Sequence, residues 1–369
     1  MPKNLDQILV YTILLILVTI SYSIAFAQGD VHRLAQGVLF TILFFIVLFF
    51  AIVIIDRKPR NILRSIGVNQ TASRFANKGD FSQALKHYNQ AILLAPRLAV
   101  IFYNRGICYL QLNNFEEALQ DFEHALQLGS KFIPAYLSKA YIEIQKNNLD
   151  QAITECNVAI GLTKRKQGLF AVYFMRGSAY LEANRPDEAI ADTNKCIEIN
   201  PKKAEPYIHL ALSYLKKGDD SKVLKMYDEA LQRDPKLALT YNNRGFYYIN
   251  KGNFEAAERD LQQAVQLQHI PESFYVYGSR GTLRLLQGRY NEALADFQKS
   301  LDIKPNYDYA IMMLAATHAT MGQIADAQHL WQELIERDAQ FDDLEWIQTK
   351  WNLSEPLLRA IEKVSQSDT

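Results

Sequence analysis

Hydrophobic and polar positions divide the chain into two regimes. Ile8 to Ala27 and Ala35 to Ile55 are apolar runs without a charged residue, each about 20 residues long, the length at which a helix crosses a hydrocarbon core of roughly 30 Å. They predict two transmembrane helices, 8–27 and 35–55, joined by the polar turn Gln28 to Leu34. Beyond residue 64 the pattern becomes amphipathic at helical spacing and repeats. Tyr88, Phe122, Phe297 and Trp331 share one slot, each four residues after Ala84, Ala118, Ala293 and Ala327 and three before Ala91, Ala125, Ser300 and Leu334. A period of about 34 residues is that of a helix-turn-helix array, in which no unit buries its apolar face alone and stacking supplies the core.

On this period, units start near residues 65, 99, 133, 170, 204, 238, 274 and 308. A small residue recurs in the first helix as Ala72, Gly106, Ala140, Gly177, Ala211, Gly245, Gly281 and Ala315, with an aromatic three later at Phe75, Tyr109, Tyr180, Tyr214 and Tyr248. Turn signals separate the paired helices at Gly79-Asp80, Asn113-Asn114, Asn147-Asn148, Gly218-Asp219, Gly252-Asn253, Gly288 and Gly322, and Pro96, Pro201, Pro235 and Pro305 close units. Small residues let two helices approach, aromatics fill the next contact, and Gly or Asn accepts the left-handed conformation that ends a helix. These positions together resemble the tetratricopeptide repeat family over residues 65–341. The resemblance implies an all-α fold, a right-handed α-solenoid of about eight hairpins. Residues 342–369 follow as a capping helix and tail, with Leu344, Trp346, Ile347, Trp351, Leu353, Leu357, Leu358 and Ile361 apolar. An array needs such a cap over its last face; the two tryptophans alternatively form a partner surface.

Residues 1–64 read as a membrane anchor with a basic linker. Arg57, Lys58, Arg60 and Arg64 follow the second apolar run, against Arg33 and Asp30 in the turn, which predicts an integral, multi-pass membrane protein with its repeats cytoplasmic. Ala25-Phe26-Ala27 before Gln28 also reads as a signal-peptide cleavage site.

A second pattern runs inside the repeats. Arg105, Lys139, Arg176, Arg244 and Arg280 are each followed sixteen residues later by an acid, Asp121, Glu155, Asp192, Asp260 and Asp296. Units lacking the base lack the acid too, placing Thr71 with His87, Leu210 with Met226 and Leu314 with Leu330. At about 1.5 Å of rise per residue, both positions lie at similar heights above the hairpin turn. Five structural ion pairs between paired helices are expected, setting register more than net stability because desolvation offsets much of the attraction; ligand-binding arginines are the alternative.

Composition narrows the function. Forty basic and forty acidic residues balance to zero, which gives no electrostatic bias toward nucleic acid. Cys108, Cys156 and Cys196 are odd in number and set in helical pattern, suiting buried thiols rather than a disulfide frame. No phosphate loop, His-Glu-x-x-His or Cys-x-x-Cys is present, so neither catalytic residue, metal, cofactor nor small-molecule substrate is expected.

By the family resemblance, the concave groove is lined by the fifth, sixth and ninth positions of each first helix. Here these include Tyr103, Asn104, Tyr141, Phe174, Met175, His209, Asn242, Asn243 and Phe246, and in the last unit Met312, Met313 and Ala316. Amides suit hydrogen bonds to an extended peptide, and aromatics and methionines give adaptable contact area. The resulting expectation is a non-enzymatic scaffold that binds protein clients of a membrane complex while its hairpin sits in the lipid bilayer. The alternative is a regulatory or targeting subunit of a membrane-bound enzyme or secretion machine.

Overall fold

The computed structural model describes residues 60–267 and 274–365. Among these residues, helices pair into eight hairpins. The first joins 60–77 to Phe81–Leu94, the second Ala99–Gln111 to Phe115–Leu128, the third Ile133–Gln145 to Leu149–Leu162 and the fourth Lys166–Glu182 to Pro186–Ile199. The fifth joins Glu205–Lys217 to Asp220–Arg233, the sixth Ala238–Asn250 to Phe254–Leu267, the seventh Phe274–Leu286 to Tyr290–Ile303 and the eighth Asp308–Thr320 to Ile324–Arg337. A 3-10 turn, Ala339–Asp342, and two further helices, Leu344–Trp351 and Glu355–Ser365, complete the described chain. Two compact units divide after Ala135: hairpins 1 and 2 lie in one, and the body of hairpin 3, hairpins 4 to 8 and the C-terminal helices in the other.

The predicted membrane segments need correction. The stretches 8–27 and 35–55 lie outside the described residues. Among the described residues, no helix is long and apolar enough to cross a membrane. Most repeat helices have 13 or 14 residues and rise only about 20 Å at 1.5 Å per residue, short of a hydrocarbon core, and the longer 60–77 and Lys166–Glu182 carry charged residues along their length. The transmembrane hairpin is therefore removed from the fold class, and the multi-pass membrane placement from the localisation. Of the basic residues after the second apolar run, Arg60 and Arg64 stand in the first helix of hairpin 1, and Arg57 and Lys58 lie outside the described residues.

Each hairpin is built by the same local devices. Its turn contains one left-handed residue: Gly79, Asn113, Asn147, Asn184, Gly218, Gly252, Gly288 and Gly322 all have φ between 54° and 78°. In hairpin 2 the Asn113 N–H donates to Leu110 O at 3.0 Å and the Asn114 N–H to Tyr109 O at 2.9 Å, closing the helix end with orphan carbonyls satisfied. The small-residue slot sets helix separation. A Cβ on Gly106 would lie 2.7 Å from Phe122 Cε1, and one on Gly281 2.6 Å from Phe297 Cε1. Units with Ala in this slot face Tyr88, Cys156, Tyr227 and Trp331 instead, all buried.

In the second unit, the first helices of hairpins 4 and 5, 6 and 7, and 7 and 8 touch one another, while each second helix packs onto the next first helix. The first helices thus form an inner layer. The final helix, Glu355–Ser365, breaks the pattern by packing more on the first helix of hairpin 8 than on the second. Leu357, Ile361 and Val364 are buried there at 0 %, 0 % and 1 % exposure. Pro356 falls in its first turn, where a missing N–H costs no intrahelical bond.

Candidate functional site

Two sets of side chains give the repeats their chemistry, beginning with the paired charges. The Arg105 guanidinium donates from Nε and Nη2 to both Asp121 oxygens at 2.7 and 2.6 Å. Arg176 grips Asp192 at 2.6 Å twice, Arg244 grips Asp260 at 2.7 and 2.8 Å, and Arg280 grips Asp296 at 2.8 and 2.6 Å. Lys139 makes the single-toothed version with Glu155 at 3.0 Å. The carboxylates are 3–7 % exposed, so a fork-to-fork geometry satisfying both oxygens offsets their desolvation. Hydrogen bonding to the carboxylate raises the pKa of each of the four guanidinium groups further, keeping them charged.

Three of these arginines also reach back one hairpin, which the sequence pattern alone did not disclose. Nη1 of Arg105 donates to Asn89 Oδ1 at 2.6 Å, that of Arg176 to Asn157 Oδ1 at 2.5 Å and that of Arg244 to Asp228 Oδ1 at 2.6 Å. Each arginine therefore ties its own second helix to the preceding one. The signal was present: Asn89, Asn157 and Asp228 each follow the core residue Tyr88, Cys156 or Tyr227. Charge at these positions is spent internally, an arrangement that holds the stack.

In the first unit, Tyr103, Asn104 and Ile107 line a cleft of about 460 Å³ with Ser73, Asn77, Tyr88 and Gln111. Asn104 Nδ2 donates to Asn69 Oδ1 at 3.1 Å, and the Tyr103 ring lies 5.6 Å from Phe122 and 5.1 Å from Phe132. Both residues thus pack on neighbours as well as lining the cleft.

In the second unit, Phe174 and His209 are brought together, ring centroids 4.1 Å apart. Desolvation pushes the His209 pKa down to about 4, so its imidazole is neutral near pH 7. Asn242, Asn243 and Phe246 line a cleft of about 160 Å³ together with Leu212, Tyr275, Ser279, Tyr307 and Trp351. Asn242 Nδ2 donates to Asn243 Oδ1 at 3.3 Å, and the buried Asn242 Oδ1 has no partner. Tyr141, 42 % exposed, and half-buried Met175 line neither cleft. Met312, Met313 and Ala316, assigned to the groove from sequence, are 0 % exposed; the C-terminal segment lies over their helix, so they are core.

Among the described residues, no group of three or more His, Cys, Asp or Glu side chains is arranged to hold a metal ion. Burial pushes the thiol pKa of Cys108 up to about 11 and those of Cys156 and Cys196 up to about 12, which keeps all three protonated and poorly nucleophilic.

Tetratricopeptide repeat models match residues 72–133, 170–203, 204–237, 236–306 and 284–346. The chain belongs to the tetratricopeptide repeat family. A tetratricopeptide repeat protein from Parabacteroides merdae superposes with a TM-score of 0.59 at 19 % identity, covering 69 % of this chain and 98 % of that one; at that identity the likeness concerns the fold. The chain is 28 % identical over 119 residues to Superkiller complex protein 3 of Mus musculus, covering 32 % of this chain and 8 % of the relative. It is 26 % identical over 143 residues to Type IV pilus assembly protein PilF of Pseudomonas aeruginosa, covering 39 % of this chain and 57 % of the relative. A serine/threonine-protein phosphatase 5 from Rattus norvegicus is 28 % identical over 107 residues that make up 21 % of it, so enzymes also carry such repeats. The matches to the Superkiller, PilF and phosphatase proteins span less than two thirds of each, and what the chain shares with the family is the tetratricopeptide array, a protein-interaction scaffold.

Proposed function

We propose that this tetratricopeptide protein is a non-enzymatic scaffold that holds an extended, uncharged segment of a client protein on its first helices and so assists assembly or recruitment of a complex. The observation that carries this reading is the uncharged lining of the Asn243 cleft and of the neighbouring Phe174–His209 pair in the second unit. Phe174, neutral His209, Leu212, Asn242, Asn243 and Phe246 face the client side, while the guanidinium groups are committed to Asp192, Asp260 and Asp296. Carboxamides interspersed with rings supply main-chain hydrogen bonds and apolar contact without demanding a charged partner. The protonated thiols and unaccompanied imidazole fit a binding role better than catalysis.

Site-specific photo-crosslinking tests the reading. A benzophenone side chain at Met175 or Asn243 is expected to capture client proteins from cell extract, whereas one at exposed Lys225 on a second helix is not. Phe174→Ala with Asn243→Ala should release the captured set. Equal capture from Lys225, or capture indifferent to those two substitutions, rejects the groove.

A further inference from the structure

Asn250 ends the first helix of hairpin 6, and its carboxamide reads a main chain 102 residues away. Nδ2 donates to the carbonyl of Asn352 at 3.0 Å, and Oδ1 accepts from the N–H of Ser354 at 3.1 Å. One side chain thereby engages the carbonyl of one residue and the N–H two residues on, using both the donor and the acceptor of its carboxamide on a main chain. The side chains on either side are seated as well. Trp351 lines the uncharged cleft and stands 6.0 Å from the Tyr309 ring, and Leu353 is 4 % exposed. Asn352 between them takes the left-handed conformation, φ 48°, and points the chain out of helix Leu344–Trp351.

The segment differs from the cap that follows it. Between 344 and 354, Glu345, Gln348, Thr349, Lys350 and Asn352 are exposed, and the buried Ser354 hydroxyl has no partner. It is held by Ile347 and Leu353, by the partly buried Leu344, Trp346 and Trp351, and by the Asn250 carboxamide. Helix Glu355–Ser365 instead buries Leu357, Leu358, Ala360, Ile361 and Val364.

We infer that the first-helix face of hairpins 6 to 8 is a receptor for a peptide carrying an aromatic residue and an aliphatic residue two positions later. Trp351-Asn352-Leu353-Ser354 is the chain's own copy of that ligand, and a client segment with the same pattern takes its place. The inference rests on the groove reading for the face used and shares Asn243 and Phe246 with it, since both line the Trp351 cleft; the Asn250 carboxamide is its own contact, so Asn250→Ala tests it apart from capture at Met175.

The test uses the full chain and, as probe, a fluorescein-labelled peptide of residues 346–358, followed by anisotropy. The unaltered chain is expected to bind it weakly, because the resident segment competes and apparent affinity scales with the open fraction. Trp351→Ala with Leu353→Ala weakens the resident and should tighten probe binding at least about tenfold. Asn250→Ala added to that pair should lose at least about fivefold, the effect of two main-chain hydrogen bonds. No gain in the double variant, with helicity retained by circular dichroism, makes the segment a fixed cap and overturns the inference. Indifference to Asn250→Ala overturns it too, and so does a segment-exchanged dimer in sedimentation, which makes the occupant a second copy. Hydrogen exchange on the unaltered chain gives an independent check: amides of 347–354 should exchange at least about tenfold faster than those of 355–365, and equal protection rejects displacement.

Discussion

The first-helix faces of hairpins 4 to 6 and of hairpin 8 are built on the same repeat, yet the first keeps half-buried side chains at a cleft that residues 351–354 close only along one edge, and the second is roofed completely by the chain itself. In hairpin 6, the helix Ala238–Asn250 keeps Asn243 and Phe246 half-buried at the cleft. In hairpin 8, Tyr309 to Thr317 are buried without a break. A helix apolar on every side must be covered on every side, and here hairpin 7, its own partner helix and Glu355–Ser365 share that task. The difference teaches that a repeat position does not by itself define a groove position; the array's end decides which faces remain available.

Breaking the cover should have the largest effect. Ile361→Asp places a carboxylate among fully buried apolar groups and is expected to lower stability by at least about 4 kcal/mol, read from the denaturant midpoint. Phe246→Ala on the open face should cost about 1 kcal/mol, less than the 3–5 typical of a fully buried ring. Similar losses at both sites refute the distinction between roofed and open faces.

The open region depends instead on its charge clamps, and hairpin 5 provides a natural control. Arg244→Met strands the buried Asp260 and should destabilise by about 3 kcal/mol, whereas Arg244→Met with Asp260→Leu should return to within about 1 kcal/mol of the original. Hairpin 5 already places Leu210, 4 % exposed, and Met226 in these slots. A double variant as damaged as the single one would mean that the arginine's bond to Asp228, and not the desolvated acid, dominates.

Helix spacing offers a smaller contrast between the regions. In hairpin 7, Gly281→Ala drives a methyl against the fully buried Phe297 and should cost about 2 kcal/mol. In hairpin 4, Gly177→Ala meets the Thr193 hydroxyl at 3.4 Å, so the usual gain of alanine over glycine in a helix, up to about 1 kcal/mol, should survive. Opposite signs in thermal melts of the two variants are the expected outcome.

How much of this was legible follows from the range of the contacts involved. The hairpins and the Arg244 and Asp260 type of pairing show in the sequence because each contact lies within one repeat and recurs with the period. Asn184 was missed as a turn because Arg185 and Pro186 after it depart from the usual signal, although an asparagine with φ 54° serves as well as glycine. A C-terminal cap was legible from its apolar positions, but its seat on the first-helix face was not, since Asn250 meets Asn352 and Ser354 only through folding of the whole end of the array, and Met312 and Met313 have the composition of a groove. The apolar runs at 8–27 and 35–55 lie outside the described residues, and the membrane reading built on them does not enter the fold described here.

The smallest effect lies at one slot that differs between the two faces. The sixth position of the first helix is His209 in hairpin 5 and Met313 in hairpin 8, so only the open face carries a titratable ring there. Desolvation holds the His209 pKa at about 4 in the folded chain, against about 6.5 when unfolded. Between these values the unfolded chain binds the proton and the folded chain does not, so stability is full above about pH 6.5 and falls as the pH drops toward 4. Between pH 6.5 and 5 this amounts to about 1 to 2 kcal/mol. His209→Gln removes the titration, and the difference in denaturant midpoint between the two proteins should therefore change over that window and stay constant from pH 7 to 8. Parallel profiles would show that His209 is solvated in the open groove and that its packing against Phe174 does not exclude water.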